Sequence, residues 1–125
     1  MANATLLRSA FHHVAAHPEQ WDQGDWRRCL AARVVTSQGG RWVTNDRTEE
    51  AHLALVATAD EREVCQERAL RLPDGVVVEG VWVWERACRL LGITERQGKV
   101  LFAPGNKLDD LRQIVHDLCH MDEVA

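Results

Sequence analysis

Nothing in this 125-residue chain approaches the ~20 consecutive apolar residues that a membrane-spanning helix requires, and its start lacks the long apolar stretch of a secretory signal. A cytoplasmic protein without a membrane anchor is expected. The four cysteines, Cys29, Cys65, Cys88 and Cys119, are widely separated and form no C-x-x-C pair, which excludes a zinc ribbon or dithiol redox centre of that spacing. Three of them fall in apolar helical stretches, where cysteine in a reducing compartment acts as a small buried hydrophobe. Positive charge is not in excess either: the net charge is −4, so the electrostatic footprint for gripping nucleic-acid phosphates is missing. Arg27, Arg28, Arg33, Arg41 and Arg47 do crowd one third of the chain, but Asp22, Asp25, Asp46, Glu49 and Glu50 are interleaved with them. That mixture reads as a solvated, salt-bridged surface rather than a nucleic-acid face. Gln38-Gly39-Gly40 has no following lysine and serine, so no phosphate loop is present, and no nucleotide cofactor is expected. Repeats, low-complexity segments and linkers are absent, which leaves residues 1–125 as one globular domain with 46% hydrophobic and 27% charged residues.

What is present is mostly helical patterning. Leu7, Ala10, Phe11 and Val14 recur at three- and four-residue spacing over residues 5–16, and His17-Pro18 ends that helix because proline disfavours helical geometry at the residue before it. Asp25 is read as the cap of a second helix carrying Trp26, Cys29, Leu30 and Val34 on one face up to Gln38. Residues 41–44 favour a strand, Asn45-Asp46 a turn, and Asp46 to Glu49 has capping-box spacing. Residues 52–58 are compatible with helix or strand, and 60–72 favour helix. Leu72-Pro73-Asp74-Gly75 is a turn, and residues 76–83 form a β-branched, aromatic strand expected to pair with 41–44. A helix from Glu85 to Leu91 closes on Gly92, a shorter one begins near Thr94, and Asn106 is read as the cap of a last helix that frays from Met121. The fold class expected is mainly α: a compact multi-helix domain with a minor two-stranded β element at about 41–44 and 76–83.

Two segments carry a resemblance. His17-Pro18-Glu19-Gln20-Trp21-Asp22-Gln23-Gly24-Asp25-Trp26, with Cys29-Leu30-Ala31 entering a helix, resembles the front of a group of small uncharacterised actinobacterial and actinophage proteins. Leu90-Leu91-Gly92-Ile93-Thr94, then Leu101-Phe102 and Asn106-Lys107-Leu108-Asp109-Asp110-Leu111, resembles their ending. The resemblance covers roughly half the chain and brings no assigned activity. Where relatives carry small residues and glycine after the cysteine, ahead of a tryptophan, this chain has Ala31-Ala32-Arg33.

Three chemistries are open to the residues. The first is protein binding: Trp82 and Trp84, two apart in an extended stretch, would share a face, while Trp21 and Trp26 can clamp the turn between the first two helices, with Gln23 and Asp25 satisfying its backbone amides and one edge, Gln23 with Arg27, open to a partner. The second is a thiol hydrolase with Cys29 as nucleophile near a helix start, Gln23 six residues earlier as oxyanion donor, and His52, His116 or His120 as base. The third is a metal-stabilised module, in which His13 and His17, four apart, meet His116 and His120 across neighbouring helices. Asp109 and Asp110 read as helix-start residues, and as adjacent neighbours facing different directions they are a poor acid/base pair. The reading carried forward is a non-catalytic, cytoplasmic accessory protein that uses no cofactor and binds another protein or a second copy of itself. A phage or actinobacterial origin, with a host protein as target, is part of that expectation.

Overall fold

The computed structural model describes residues 3–24, 28–38, 42–43, 54–56, 69–71 and 77–124, and in them the chain is mainly helical. Helix α1 (Ala4–Ala16) starts where the Asn3 Oδ1 accepts from the Leu6 amide at 3.1 Å, and it stops at His17, ahead of the short 3-10 turn Pro18–Gln20. Leu7, Ala10, Phe11 and Val14 form its buried stripe, as the spacing requires. Helix α2 (Leu30–Ser37) is apolar almost all round, with Leu30, Ala31, Ala32, Val34 and Val35 buried. Such a helix belongs in the middle of a fold, and α2 packs between α1 and a third helix, α3 (Val83–Leu91).

Glu85 accepts from the Trp82 amide at 3.0 Å to start α3, two residues earlier than the sequence pattern indicates. Gly92 ends it in the left-handed region at φ 67°, a geometry that an L side chain resists. Thr94 and Gln97 exchange side-chain and backbone hydrogen bonds of 2.8 and 3.1 Å to open α4 (Glu95–Leu101). Helix α5 (Leu108–Val124) then returns along α1 and stays helical beyond Met121, where fraying was expected.

The core draws one fully buried leucine from each of the five helices described: Leu7, Leu30, Leu91, Leu101 and Leu111. Each contributes about 1.5–3 kcal/mol by leaving water.

The β element differs from expectation. Four short strands are described, β1 (Trp42–Val43), β2 (Ala54–Val56), β3 (Ala69–Arg71) and β4 (Val77–Trp82), in the order β1-β2-β4-β3 with every pair antiparallel. Residues 42–43 therefore pair with Ala54 and Leu55, and β2 separates them from β4. The first half of β4 pairs with β3 and the second half with β2, through Val77↔Arg71 and Val81↔Leu55. The ambiguous stretch 52–58 thus contains a strand, and so does the end of the region read as helix, at 69–71. Sheet partners settle such short segments, because a three-residue run satisfies either pattern equally well. The expected turns at 45–46 and 72–75 and the capping box at 46–49 lie outside the described residues.

Candidate binding site

The segment from Trp21 to Gly24 is joined to the start of α2 by one buried amide. Asp22 first turns the chain, its Oδ1 accepting from the Gly24 amide at 3.0 Å while its own amide donates to the Arg28 carbonyl at 3.1 Å. The turn points Gln23 inward, where only 6% of it remains exposed. Its Oε1 accepts from the Trp21 indole Nε1 at 3.1 Å and from the Leu30 amide at 3.3 Å, and its Nε2 donates to the Leu101 carbonyl at 3.2 Å. Leu30 is the first residue of α2, so Gln23 satisfies one of the amides that a helix start leaves unpaired. Cys29, at the cap position, makes no side-chain cap bond. The Leu30 amide is served instead by the long side chain six residues before Cys29; Asp25, the expected cap, lies outside the described residues with Trp26 and Arg27.

Asn106 completes this knot from the other end of the chain. Its Nδ2 donates to the Val100 carbonyl at 2.8 Å and the Leu101 carbonyl at 3.1 Å, so it closes the end of α4. The start of α5 is held instead by Asp110, which accepts from the Lys107 amide at 2.9 Å. Asn106 therefore does not cap the last helix. The two segments that carry the sequence resemblance meet at one atom, the Leu101 carbonyl oxygen, which takes Gln23 from one side and Asn106 from the other.

This geometry removes two roles proposed for Gln23. An oxyanion donor must offer its N–H to a substrate, whereas this amide is buried and donates to Leu101. For the same reason Gln23 does not face outward as a contact residue. Cys29 is only 2% exposed, too enclosed for attack on a polypeptide carbonyl. His116 lies in a different hollow, with Arg8, Phe11, His12 and Arg112; His52 is outside the described residues. Cys88 is no better a nucleophile, because burial, with Glu95 and Glu85 nearby, pushes its thiol up to about 11.

The histidine quartet does not assemble. Helices α1 and α5 are neighbours, as a metal site would need. However, α1 turns His12 toward the hollow shared with His116, while His13 and His17 line a cleft against α2. His116 and His120 stack on each other, 5.7 Å apart, and among the described residues no three His, Cys, Asp or Glu side chains gather as a metal set.

The two tryptophans of the strand and helix junction also separate. The chain enters α3 at Val83, so Trp82 ends β4 while Trp84 sits in the first turn of the helix, and they do not share the face of one strand. Val81 and Val83 take the core positions at 1% and 0% exposure. Both indoles are half-buried, each leaning on the core. Trp84 forms one wall of a hollow of about 360 Å³ whose other walls are Gly98, Lys99, Phe102, Ala103 and Pro104. Val100, next along α4, is 56% exposed.

Sequence reasoning passed over a second feature, a cleft of about 160 Å³ between α1 and α2 lined by His13, His17, Gln20, Trp21, Arg28 and Arg33 among others. The His13 and His17 rings stack at 4.4 Å, and the His17 Nδ1 donates to the His13 carbonyl at 3.0 Å. That bond fixes the proton on Nδ1 of the neutral ring. Desolvation, then Arg33, then His17 hold His13 below its ordinary value of 6.5. Arg28 spends donors on the carbonyls of Gln20 at 3.2 Å and Glu19 at 2.9 Å. The available signal was Arg33, a lone charge in the apolar run from Cys29 to Val35.

No protein-family model, curated protein or solved structure matches this chain.

Proposed function

We propose that this chain is a cytoplasmic accessory protein that acts without catalysis by binding a protein partner through the hollow beside Trp84. The observation that carries the reading is the hollow itself: a half-buried indole faces Phe102, Ala103 and Pro104 across about 360 Å³, with exposed Val100 one residue beyond its Lys99 wall. Tryptophan beside a pocket is the composition from which interface hot spots are built. The occupant that fits is an apolar side chain presented by another polypeptide, a Leu or Phe anchor. Trp82 packs on the core from the end of β4, and Trp21 belongs to the Gln23 knot. The resemblance to actinobacterial and actinophage proteins makes a host protein of that setting the first partner to seek. No described helix is long and apolar enough to cross a membrane.

The test is affinity capture from an actinobacterial lysate with wild type, Val100→Asp and Trp84→Ala, together with sedimentation of the purified chain. Recovery of one discrete partner by wild type, lost in Val100→Asp, is the expected result. A concentration-dependent dimer abolished by Val100→Asp would identify the partner as a second copy. Equal recovery by all three proteins, with a monomer throughout, would overturn the proposal.

The thiol-hydrolase alternative yields a separate expectation. Cys29, Cys88 and Cys119 are all buried, so iodoacetamide should label them in native protein no faster than the protein opens. Rapid selective alkylation of Cys29 would return catalysis to consideration.

A further inference from the structure

We propose that the cleft between α1 and α2 is a binding site for a phosphate group, held by Arg33 and Arg28 with His13 and His17. The inference stands on a separate part of the molecule from the Trp84 hollow and does not depend on it. Three observations carry it. First, among the described residues the cleft gathers two guanidinium groups and two imidazoles and has no carboxylate in its wall, in a chain whose net charge is −4. Like charges held together without a counter-ion repel, so the arrangement has a cost that a bound anion would offset.

Second, the Nε of Arg33 is buried and has no hydrogen-bond partner. Buried donors are nearly always paired, and an unpaired guanidinium donor beside a cleft is best matched by an oxyanion. Third, Arg28 is already oriented: its two bonds to the carbonyls of Glu19 and Gln20 fix the plane of the guanidinium at the cleft mouth. Arginine presents five N–H donors, so further ones remain for a ligand. The cleft's volume of about 160 Å³ suits a tetrahedral anion with a small substituent rather than a nucleotide. A dianionic phosphate with several acceptor oxygens uses this donor set more fully than a carboxylate with two.

Binding also has a signature in the histidines. The ionisable groups facing His13 are Arg33 from α2 and His17 from its own helix, and after desolvation both disfavour its protonation. A phosphate between them reverses that balance, so its arrival raises the titration midpoint of His13.

The experiment follows the ring C–H resonances of all six histidines by NMR while inorganic phosphate is added to the full chain at constant ionic strength. The expected result is saturable movement of His13 and His17 with a raised His13 midpoint, while His116 and His120 stay in place. Arg33→Gln should weaken the half-saturation point by about tenfold or more, the scale of one charged hydrogen bond. Arg28→Gln, at an exposed position, should also weaken it and guards against a folding defect in the first variant. O-phosphoserine binding more tightly than inorganic phosphate assigns the site to a phosphorylated molecule, and the reverse order assigns it to free phosphate. Acetate binding as well as phosphate, uniform drift of all six histidines, or unchanged half-saturation in both variants would each overturn the proposal.

Discussion

Trp21 stands between two polar regions that could hardly differ more in how their hydrogen bonds are used. On one side its indole donates into the Gln23 knot, where the amide oxygen takes two donors and the amide nitrogen serves Leu101. On the other it walls the cleft of His13, His17, Arg28 and Arg33, where a buried Nε has no partner. The knot consumes its polarity internally and so belongs to the architecture. The cleft retains donors that the fold does not use, which marks it for something outside the chain.

The sharpest way to break this distinction is to remove the knot. Gln23→Met keeps the length of the side chain but leaves the Leu30 amide and Trp21 Nε1 without their acceptor; a loss of about 2–4 kcal/mol in urea denaturation is expected. A loss below about 1 kcal/mol would show that water or another group takes over. Gly98→Ala comes next, on the helix whose end the knot holds. A Cβ there would lie 2.2 Å from the Cys88 Sγ, too close to accommodate without movement. Alanine gains roughly 1 kcal/mol of helix propensity, but overpacking of about 1–3 kcal/mol should prevail. Adding Cys88→Ala, which removes the clashing sulfur, should recover most of the loss in a double-mutant cycle.

Asn106→Ala deletes two bonds to carbonyls at the end of α4 and should cost about 1 kcal/mol, since Leu101 keeps Gln23 as donor. Arg33→Met should move stability by no more than about 0.5 kcal/mol, and upward if at all, because it keeps the aliphatic stem and removes an unpaired donor. A marked loss would make Arg33 part of the architecture and erase the contrast. The smallest effect concerns pH. His13 titrates below 6.5 in the folded state, so the unfolded chain binds the proton more readily. Stability should therefore fall as pH drops from 6.5 toward the lowered folded value, and His13→Gln should flatten that slope. Melting curves across that window read it directly.

Much of this fold was legible in the sequence where a long pattern repeats. The stripe Leu7, Ala10, Phe11, Val14 and the Gly92 stop follow from spacing and backbone freedom alone. What was not legible depends on distant partners. Residues 69–71 are strand because β4 pairs with them; that Gln23 serves a backbone amide of its turn was legible, but that the amide is Leu30 at the start of α2 depends on the turn at Asp22. Asn106 differs for a similar reason: one-dimensional spacing assigns it to the helix ahead, whereas its side chain reaches backward to Val100 and Leu101. The cleft needed α1 and α2 set side by side before His13 and Arg33 could be seen together. For Trp84 the strand period fails because the backbone is already helical from Val83.

The central claim, that Gln23 is spent on holding the start of α2, is tested most directly by hydrogen exchange of the Leu30 amide in the native protein. First-turn helix amides without an acceptor exchange readily, whereas this one is paired to the Gln23 Oε1 at 3.3 Å. The expected result is exchange as slow as that of the interior α2 amides. A Leu30 amide that exchanges as fast as an unpaired helix end would contradict the account.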